Sequence, residues 1–210
     1  MIEARRIAVC GGTFDPIHCG HVDPLLEVFE RMEWDHVLYV PAATQPFKRD
    51  RRTGSSRDRW AMMSIATACD PRLRLTPIEL ERGEVSYSVD TLEELRRLHP
   101  DAGLEWVIGD DNLEQLVEWR SIERIFELAN FVVLRRTGAV VPEALAGRVA
   151  SPETRGVAGS VVPVDNTPVA ISATGIRRRV AAGEPIGELV APGVADYIEK
   201  YRLYRPEDRT

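Results

Sequence analysis

The chain of 210 residues has no apolar run approaching the roughly 20 residues needed to cross a bilayer, so no membrane span is expected. Its first residues, MIEARRIAVCGG, lack the basic-then-apolar pattern of a secretory leader and read straight into a strand, which points to a cytoplasmic protein. Cysteine is scarce. Cys10, Cys19 and Cys69 form no CxxC pair and leave an odd thiol, which argues against a disulfide framework and fits a reducing compartment. An excess of positive charge is missing as well: the net charge of −6 argues against broad binding to a nucleic-acid backbone. The basic islands at 49–59 (RDRRTGSSRDR) and 176–180 (IRRRV), taken alone, read as solvated loop and helix faces. Neither an internal repeat nor a low-complexity tract is present. What remains is 44% hydrophobic and 29% charged, an ordinary globular composition with enough chain for one sizeable core.

What is present alternates. Apolar runs at 6–10, 36–41, 73–77, 104–109 and 130–136 predict strands, and 161–164 predicts one more inside a Gly/Pro/Val-rich stretch from 137 to 170. Between them, 21–32, 57–69, 88–99 and the segment NLEQLVEWRSIERIFELA (112–129) predict helices, with Ser88 and Asp90 as possible caps of the third. Two short helices are expected around 175–182 and 194–201. Trp34, Trp60 and Trp106 are expected in the core. Alternation of continuous apolar strands with helices predicts an α/β fold: a Rossmann-like, doubly wound parallel sheet with short C-terminal helices. Ligands in such folds bind beyond the carboxyl ends of the strands, where the strand order switches. The turns at Gly11-Gly12 and at Gly109-Asp110-Asp111 both follow strands and are expected to face that crevice.

The stretch CGGTFDPIHCGHVD, Cys10 to Asp23, admits three readings. It can be a strand–helix turn in which the glycines serve geometry alone. It can be a metal site using His18, Cys19 and His21, although the other histidines, His36 and His99, lie far off in sequence and a closed zinc site needs four ligands. Or it can hold phosphates: glycines admit an anion to backbone N–H groups, the following helix N-terminus adds partial positive charge, and two imidazoles donate to phosphoryl oxygens. Only the last uses every feature together.

The string GGTFDPIHCGH (11–21) resembles the HxGH signature of the nucleotidyltransferase superfamily, and ISATGIR (171–177) is similar to its second signature, ISSTxIR. The segments ELERGEVSYSVDTLEEL (79–95), WVIGDDNLEQLVEWRSIERIFELANFVVLRR (106–136) and VAPGVADYIEKYRLY (190–204) resemble those of bacterial nicotinate-nucleotide adenylyltransferases, and the likeness spans nearly the whole chain. The resemblance implies a single nucleotidyltransferase domain, 1–210, whose part from about 171 to 205 completes the ATP phosphate site. It implies that ATP and nicotinate mononucleotide are joined to give deamido-NAD and pyrophosphate, with magnesium (Mg2+) carried by the triphosphate. No nucleic acid and no membrane is expected as a partner, and a monomer or a homodimer stays open. The alternatives are a transferase for nicotinamide mononucleotide or another phosphate acceptor, and a non-catalytic nucleotide sensor.

By the same resemblance, His18 and His21 contact the ATP phosphates, and His18 stabilises the transferring α-phosphoryl group. Lys48 and Arg177 also reach phosphates. Gly11, Gly12, Thr13 and Phe14 line the ATP pocket, Asp15 orders the turn or lies near the metal and phosphates, and Ser172 and Thr174 add hydroxyls. Gly109 and Asp111 meet the adenosine side. Trp119 stacks on the nicotinate ring, the amides of Ser88 and Arg120 hold its carboxylate, and Tyr87 is either core or pocket wall. The loop 42–56 is expected to be mobile until substrates bind. Three departures from the family pattern stand out: Phe47 for a histidine, Ala173 for serine and Ser88 for threonine.

Overall fold

The computed structural model describes residues 5–43, 54–83, 85 and 87–205. The apolar runs form six strands: β1 (Arg6–Gly12), β2 (His36–Pro41), β3 (Leu73–Leu75), β4 (Gly103–Gly109), β5 (Asn130–Leu134) and β6 (Val161–Val164). Their order across the sheet is β3-β2-β1-β4-β5-β6, and every pairing is parallel. Val9 lies opposite Leu38 of β2 on one side and Trp106 of β4 on the other. The chain thus reverses its direction of winding between β1 and β4, and that is where a ligand crevice forms in such sheets.

Alternate residues of each strand feed two separate cores. Ala8, Tyr39, Val107 and Val132 face α1 (Cys19–Val28), α2 (Ser56–Thr67), α7 (Ala173–Ala181) and α8 (Pro192–Lys200). Ile7, Val9, Trp106, Ile108 and Phe131 face α3 (Ile78–Arg82), α4 (Ser88–Leu98), α5 (Leu113–Leu116) and α6 (Ile122–Leu128). Strands with both faces covered must be apolar at nearly every position, which is why they read as continuous runs. At the amino ends of β1 and β4, the fully buried Glu105 accepts hydrogen bonds from Trp34 Nε1 (2.5 Å), Arg155 Nε (2.5 Å) and Arg6 Nη1 (3.1 Å). A buried carboxylate needs such partners, and here they anchor the loop before β6. No helix among the described residues is long and apolar enough to cross a membrane.

Several elements differ from their predicted bounds. The segment predicted as one helix over 112–129 is broken: a 3-10 turn at 110–112 and α5 end by Val117, and α6 starts only after Ser121, which adopts φ 55°. The helix α3, closed by Gly83 at φ 72°, and a 3-10 turn at 143–148 were not expected. α1 begins two residues earlier than predicted and ends at Val28. Trp60 is half-buried and belongs to neither core; its neighbour Arg59, 1% exposed, points inward instead, with Met62 and Met63.

Candidate active site

Gly11 and Gly12 are the last residues of β1, opposite Val40 and Pro41, so the turn lies beyond them. A Cβ on Gly11 would stand 2.7 Å from the Trp106 ring, and one on Gly12 3.0 Å from the Phe14 ring. Two aromatic side chains on opposite faces of the sheet therefore require the glycines, and neither adopts positive φ. The left-handed residue of the turn is Phe14, at φ 50°. From there Asp15 to Ile17 lead into α1, with His18 as its N-cap.

The spacing of three residues brings His18 and His21 ring to ring, 3.7 Å between centroids. The His18 N–H donates to His21 Nδ1 at 3.3 Å, and the Tyr39 hydroxyl donates to the His21 carbonyl at 2.9 Å. A Cβ on Gly20 would lie 3.1 Å from His18 Nδ1, so the glycine lets the first turn of α1 close on the ring. His18 is 3% exposed. Burial, with the positive charge of Arg136 second, lowers its pKa to about 4, so the imidazole is neutral at pH 7. Two buried polar atoms of this turn, Thr13 Oγ1 and His18 Nδ1, have no hydrogen-bond partner among the described residues. Such atoms are rare in folded proteins, and a ligand or an ordered water can complete their bonding.

Other elements close around the turn. The guanidinium of Arg59 donates to the carbonyls of Thr13 (2.9 Å) and Gly54 (3.3 Å). Ser172 caps α7 by accepting the Gly175 N–H at 3.1 Å, and Arg177, one turn on, donates to the Asp15 carbonyl (2.5 Å) and to Thr174 Oγ1 (3.1 Å). Beyond β4, Asp110 accepts from the N–H groups of Thr137 (2.9 Å), Gly138 (2.7 Å) and Ala139 (3.2 Å). Burial works to raise the pKa of its carboxyl, but the Thr137 and Arg136 amides and further hydrogen bonds prevail and hold it down. This fixes the segment after β5, from which Arg136 reaches Asp111 at 3.3 Å. A Cβ on Gly109 would collide with both of those side chains. Thr13, His18, His21, Asp111, Arg136, Ser172 and Arg177 border one cleft of about 850 Å³ over the β1–β4 switch, and Arg59 and Asp110 hold its turns in place through the bonds above.

The cytidylyltransferase-like family is matched over residues 9–179. The chain is 40% identical, over 96% of its length and 89% of the relative's, to a Corynebacterium glutamicum protein named "Probable nicotinate-nucleotide adenylyltransferase". A Streptomyces coelicolor protein of the same name is also 40% identical, over 94% of this chain and 100% of its own. The chain belongs to the nicotinate-nucleotide adenylyltransferase family. Solved structures of Plasmodium falciparum nicotinic acid mononucleotide adenylyltransferase share the fold: the complex with NaAD superposes at TM-score 0.74 and 20% identity, over 95% of this chain and 97% of that one. The complex with APC gives 0.73 over the same shares.

Every site residue expected from the sequence, Lys48 excepted, borders this adenylyltransferase cleft, including Tyr87, Ser88, Trp119 and Arg120 from the far side of the switch. Lys48, Phe47 and most of the loop 42–56 lie outside the described residues. Tyr87 forms a wall, with Arg120 stacked over its ring at 4.5 Å. Ser88 is the first residue of α4, whose N-cap Tyr87 makes no side-chain cap bond, so the Ser88 N–H is one of the donors of a helix start with no intrahelical partner. Trp119 sits in the break between α5 and α6, half-buried, its edge against Trp106 and Phe131 at 6.5 and 5.8 Å. Asp15 turns both carboxylate oxygens to protein donors, Gly54 N–H and Tyr204 O–H, and so orders the turn. The sequence reading missed Arg136 and Arg59. Arg136 follows β5 as Asp111 follows β4, each two residues past its strand, and the rule of the carboxyl ends, applied to β5, points to it.

Proposed function

We propose that the cleft directs the phosphate of nicotinate mononucleotide onto the α-phosphorus of ATP. A new P–O bond forms there, the bond to the β,γ-diphosphate breaks, and pyrophosphate leaves with deamido-NAD as the product. The attacking phosphate is already ionised at neutral pH, so the protein needs no general base; alignment and charge stabilisation suffice. The observation that carries the reading is the pair of unpartnered buried atoms, Thr13 Oγ1 and His18 Nδ1, in a turn that other phosphate-competent groups surround.

In this reading His18, neutral and buried, donates a hydrogen bond to the α-phosphoryl group as its charge grows, and His21 steadies it by stacking. Arg177 and the start of α7 face the remaining phosphates. Lys48 joins them from the loop. Gly109, Asp111 and Arg136 border the adenosine. Trp119 stacks on the pyridine ring, and the amides of Ser88 and Arg120 receive its carboxylate. Among the described residues no three His, Cys, Asp or Glu side chains gather to hold a metal, and the Asp15 carboxylate is engaged by protein donors. That donor set fits Mg2+ bound to the triphosphate's own oxygens, where it would neutralise charge at the phosphorus. We assign the reaction to the cytoplasm, in keeping with three free cysteines.

The test is pyrophosphate release from ATP with a panel of acceptors: nicotinate mononucleotide, nicotinamide mononucleotide and an unrelated phosphate monoester. Fastest turnover with nicotinate mononucleotide supports the assignment, and equal rates or none with every acceptor overturn it.

A further inference from the structure

Asp15 presents a difficulty for a site that must attract a triphosphate. It is 3% exposed and stands immediately beyond the phosphate turn. A carboxylate with an oxygen that has no donor of its own there would draw the nearby Arg177 into a direct pair, and bidentate Arg–carboxylate pairs form readily at 2.7–2.9 Å. The structure has a different arrangement. Asp15 Oδ1 accepts the Tyr204 hydroxyl at 2.6 Å and Oδ2 accepts the Gly54 N–H at 3.1 Å. Arg177 stands off at 3.8 Å from Oδ2, and its short bond goes to the Asp15 backbone carbonyl instead.

Three features show that this contact is built into the fold. The chain beyond α8 folds back through two non-glycine residues at positive φ, Arg202 (52°) and Tyr204 (63°), to bring the ring to Asp15. Residues with side chains seldom adopt that conformation. A Cβ on Gly54 would lie 2.6 Å from Asp15 Oδ1 and 3.6 Å from the Tyr204 oxygen, so the approach of that backbone requires glycine. Burial and the Asp15 charge raise the pKa of the Tyr204 phenol, which therefore keeps its proton and remains a donor.

We propose that Tyr204 is a positioning residue for the nucleoside triphosphate: by occupying Asp15 from behind, it keeps the Arg177 guanidinium open to phosphate oxygens. The proposal rests on the reading that Arg177 faces the triphosphate. Tyr204 touches no substrate; it acts through Asp15. Removing its hydroxyl leaves Oδ1 without a donor, and the buried carboxylate then turns that oxygen toward the Arg177 guanidinium, which already stands 3.8 Å from Oδ2.

The experiment is steady-state kinetics on the full chain with Tyr204→Phe, Asp15→Asn, the double variant and Arg177→Gln, each substrate varied at saturation of the other. Tyr204→Phe should raise KM for ATP roughly tenfold, the value of about one charge-assisted contact, with kcat and KM for nicotinate mononucleotide within about twofold. In the Asp15→Asn background, where the amide carries no charge to capture Arg177, adding Tyr204→Phe should change KM for ATP less than about twofold. An unchanged KM for ATP in Tyr204→Phe, or the same factor in both backgrounds, overturns the proposal. If Arg177→Gln raises KM for ATP while Tyr204→Phe does not, the phosphate site stands and the proposal alone falls. If Arg177→Gln has no effect, the site reading fails and the proposal falls with it. Should Tyr204→Phe not fold, Gly54→Ala decides, because its Cβ crowds the same oxygen: a rise in KM for ATP that Asp15→Asn abolishes supports the proposal, and any other result overturns it.

Discussion

Arg136 and Asp111 meet across the carboxyl ends of β5 and β4, Nη1 to Oδ2 at 3.3 Å, each with about two-fifths of its side chain exposed (43% and 40%). An ion pair this open to water contributes little to stability. Its value lies in where it holds a cation, beside the cleft and close enough to His18 to lower that histidine's pKa.

Replacing Arg136 with Met should therefore shift the melting temperature by no more than a degree or two while raising KM for ATP by roughly tenfold. Thermal denaturation and ATP titration calorimetry on the same preparation check this. A large loss of stability with unchanged ATP affinity would make Arg136 a structural residue.

His18→Ala should lower kcat by roughly 10²–10³, as for loss of a donor to a developing oxyanion, with little change in fold. Because the pKa of His18 is lowered to about 4, wild-type kcat should not fall between pH 8 and pH 6 through His18. A pH–rate profile whose acid limb near 6.5 disappears only on substituting His18 would contradict the neutral-donor role.

Stability, in contrast to activity, should decline on acidification. His18 and His36 both have pKa values near 4 in the folded chain, against about 6.5 for an unperturbed histidine. The unfolded chain then takes up protons first, so stability is complete above pH 6.5 and lost as pH falls from 6.5 to 4, by on the order of 3 kcal/mol at most per histidine. Burial dominates at His36, and Arg74, His99 and Arg5 act in the same direction against Asp35. Urea denaturation at pH 7 and pH 5 measures the loss, and His36→Gln should remove part of it.

Nicotinate mononucleotide should be preferred over its amide by on the order of 10² in kcat/KM, because in the proposed site a carboxamide would offer an N–H₂ group to the Ser88 and Arg120 N–H donors assigned to the carboxylate. Trp119→Ala should weaken both substrates and leave their ratio nearly unchanged. Equal kcat/KM for the two mononucleotides would move the ring pocket elsewhere.

The strands were legible because a sheet covered on both faces must be apolar throughout, and the turn proposed to hold phosphates because its residues are unusual together. The break at Trp119-Arg120 was not legible. Leu113 and Leu116 before it, and Ile122 and Ile125 after it, each keep a helical i, i+3 spacing, and the interruption comes from Ser121 at positive φ, with no glycine or proline to announce it. Arg59 was hidden for a different reason. In sequence it is one of several arginines in a basic island, and the carbonyl of Thr13, contributed by a distant segment, explains together with that of nearby Gly54 why it is buried. A strand over 130–136 runs two residues past the end of β5 and so hides that Arg136 stands beyond the sheet, at the cleft.

The β1–β4 pairing also governs when the site can exist. The two strands are nearly a hundred positions apart, Arg6 pairing with Gly103 and Val9 with Trp106. At a synthesis rate of roughly 5–20 residues per second, β1 has left the ribosome for about 5–20 s before β4 follows it. During that interval β1, β2 and β3 can pair, but the edge of β1 that later binds β4 is unpaired and open to other strands. Parallel pairings of such long range are slow to form, so the cleft is a late product of folding, and Tyr204 reaches Asp15 only after nearly the whole chain has been made. Nascent chains stalled before β4 should be aggregation-prone and unable to retain ATP.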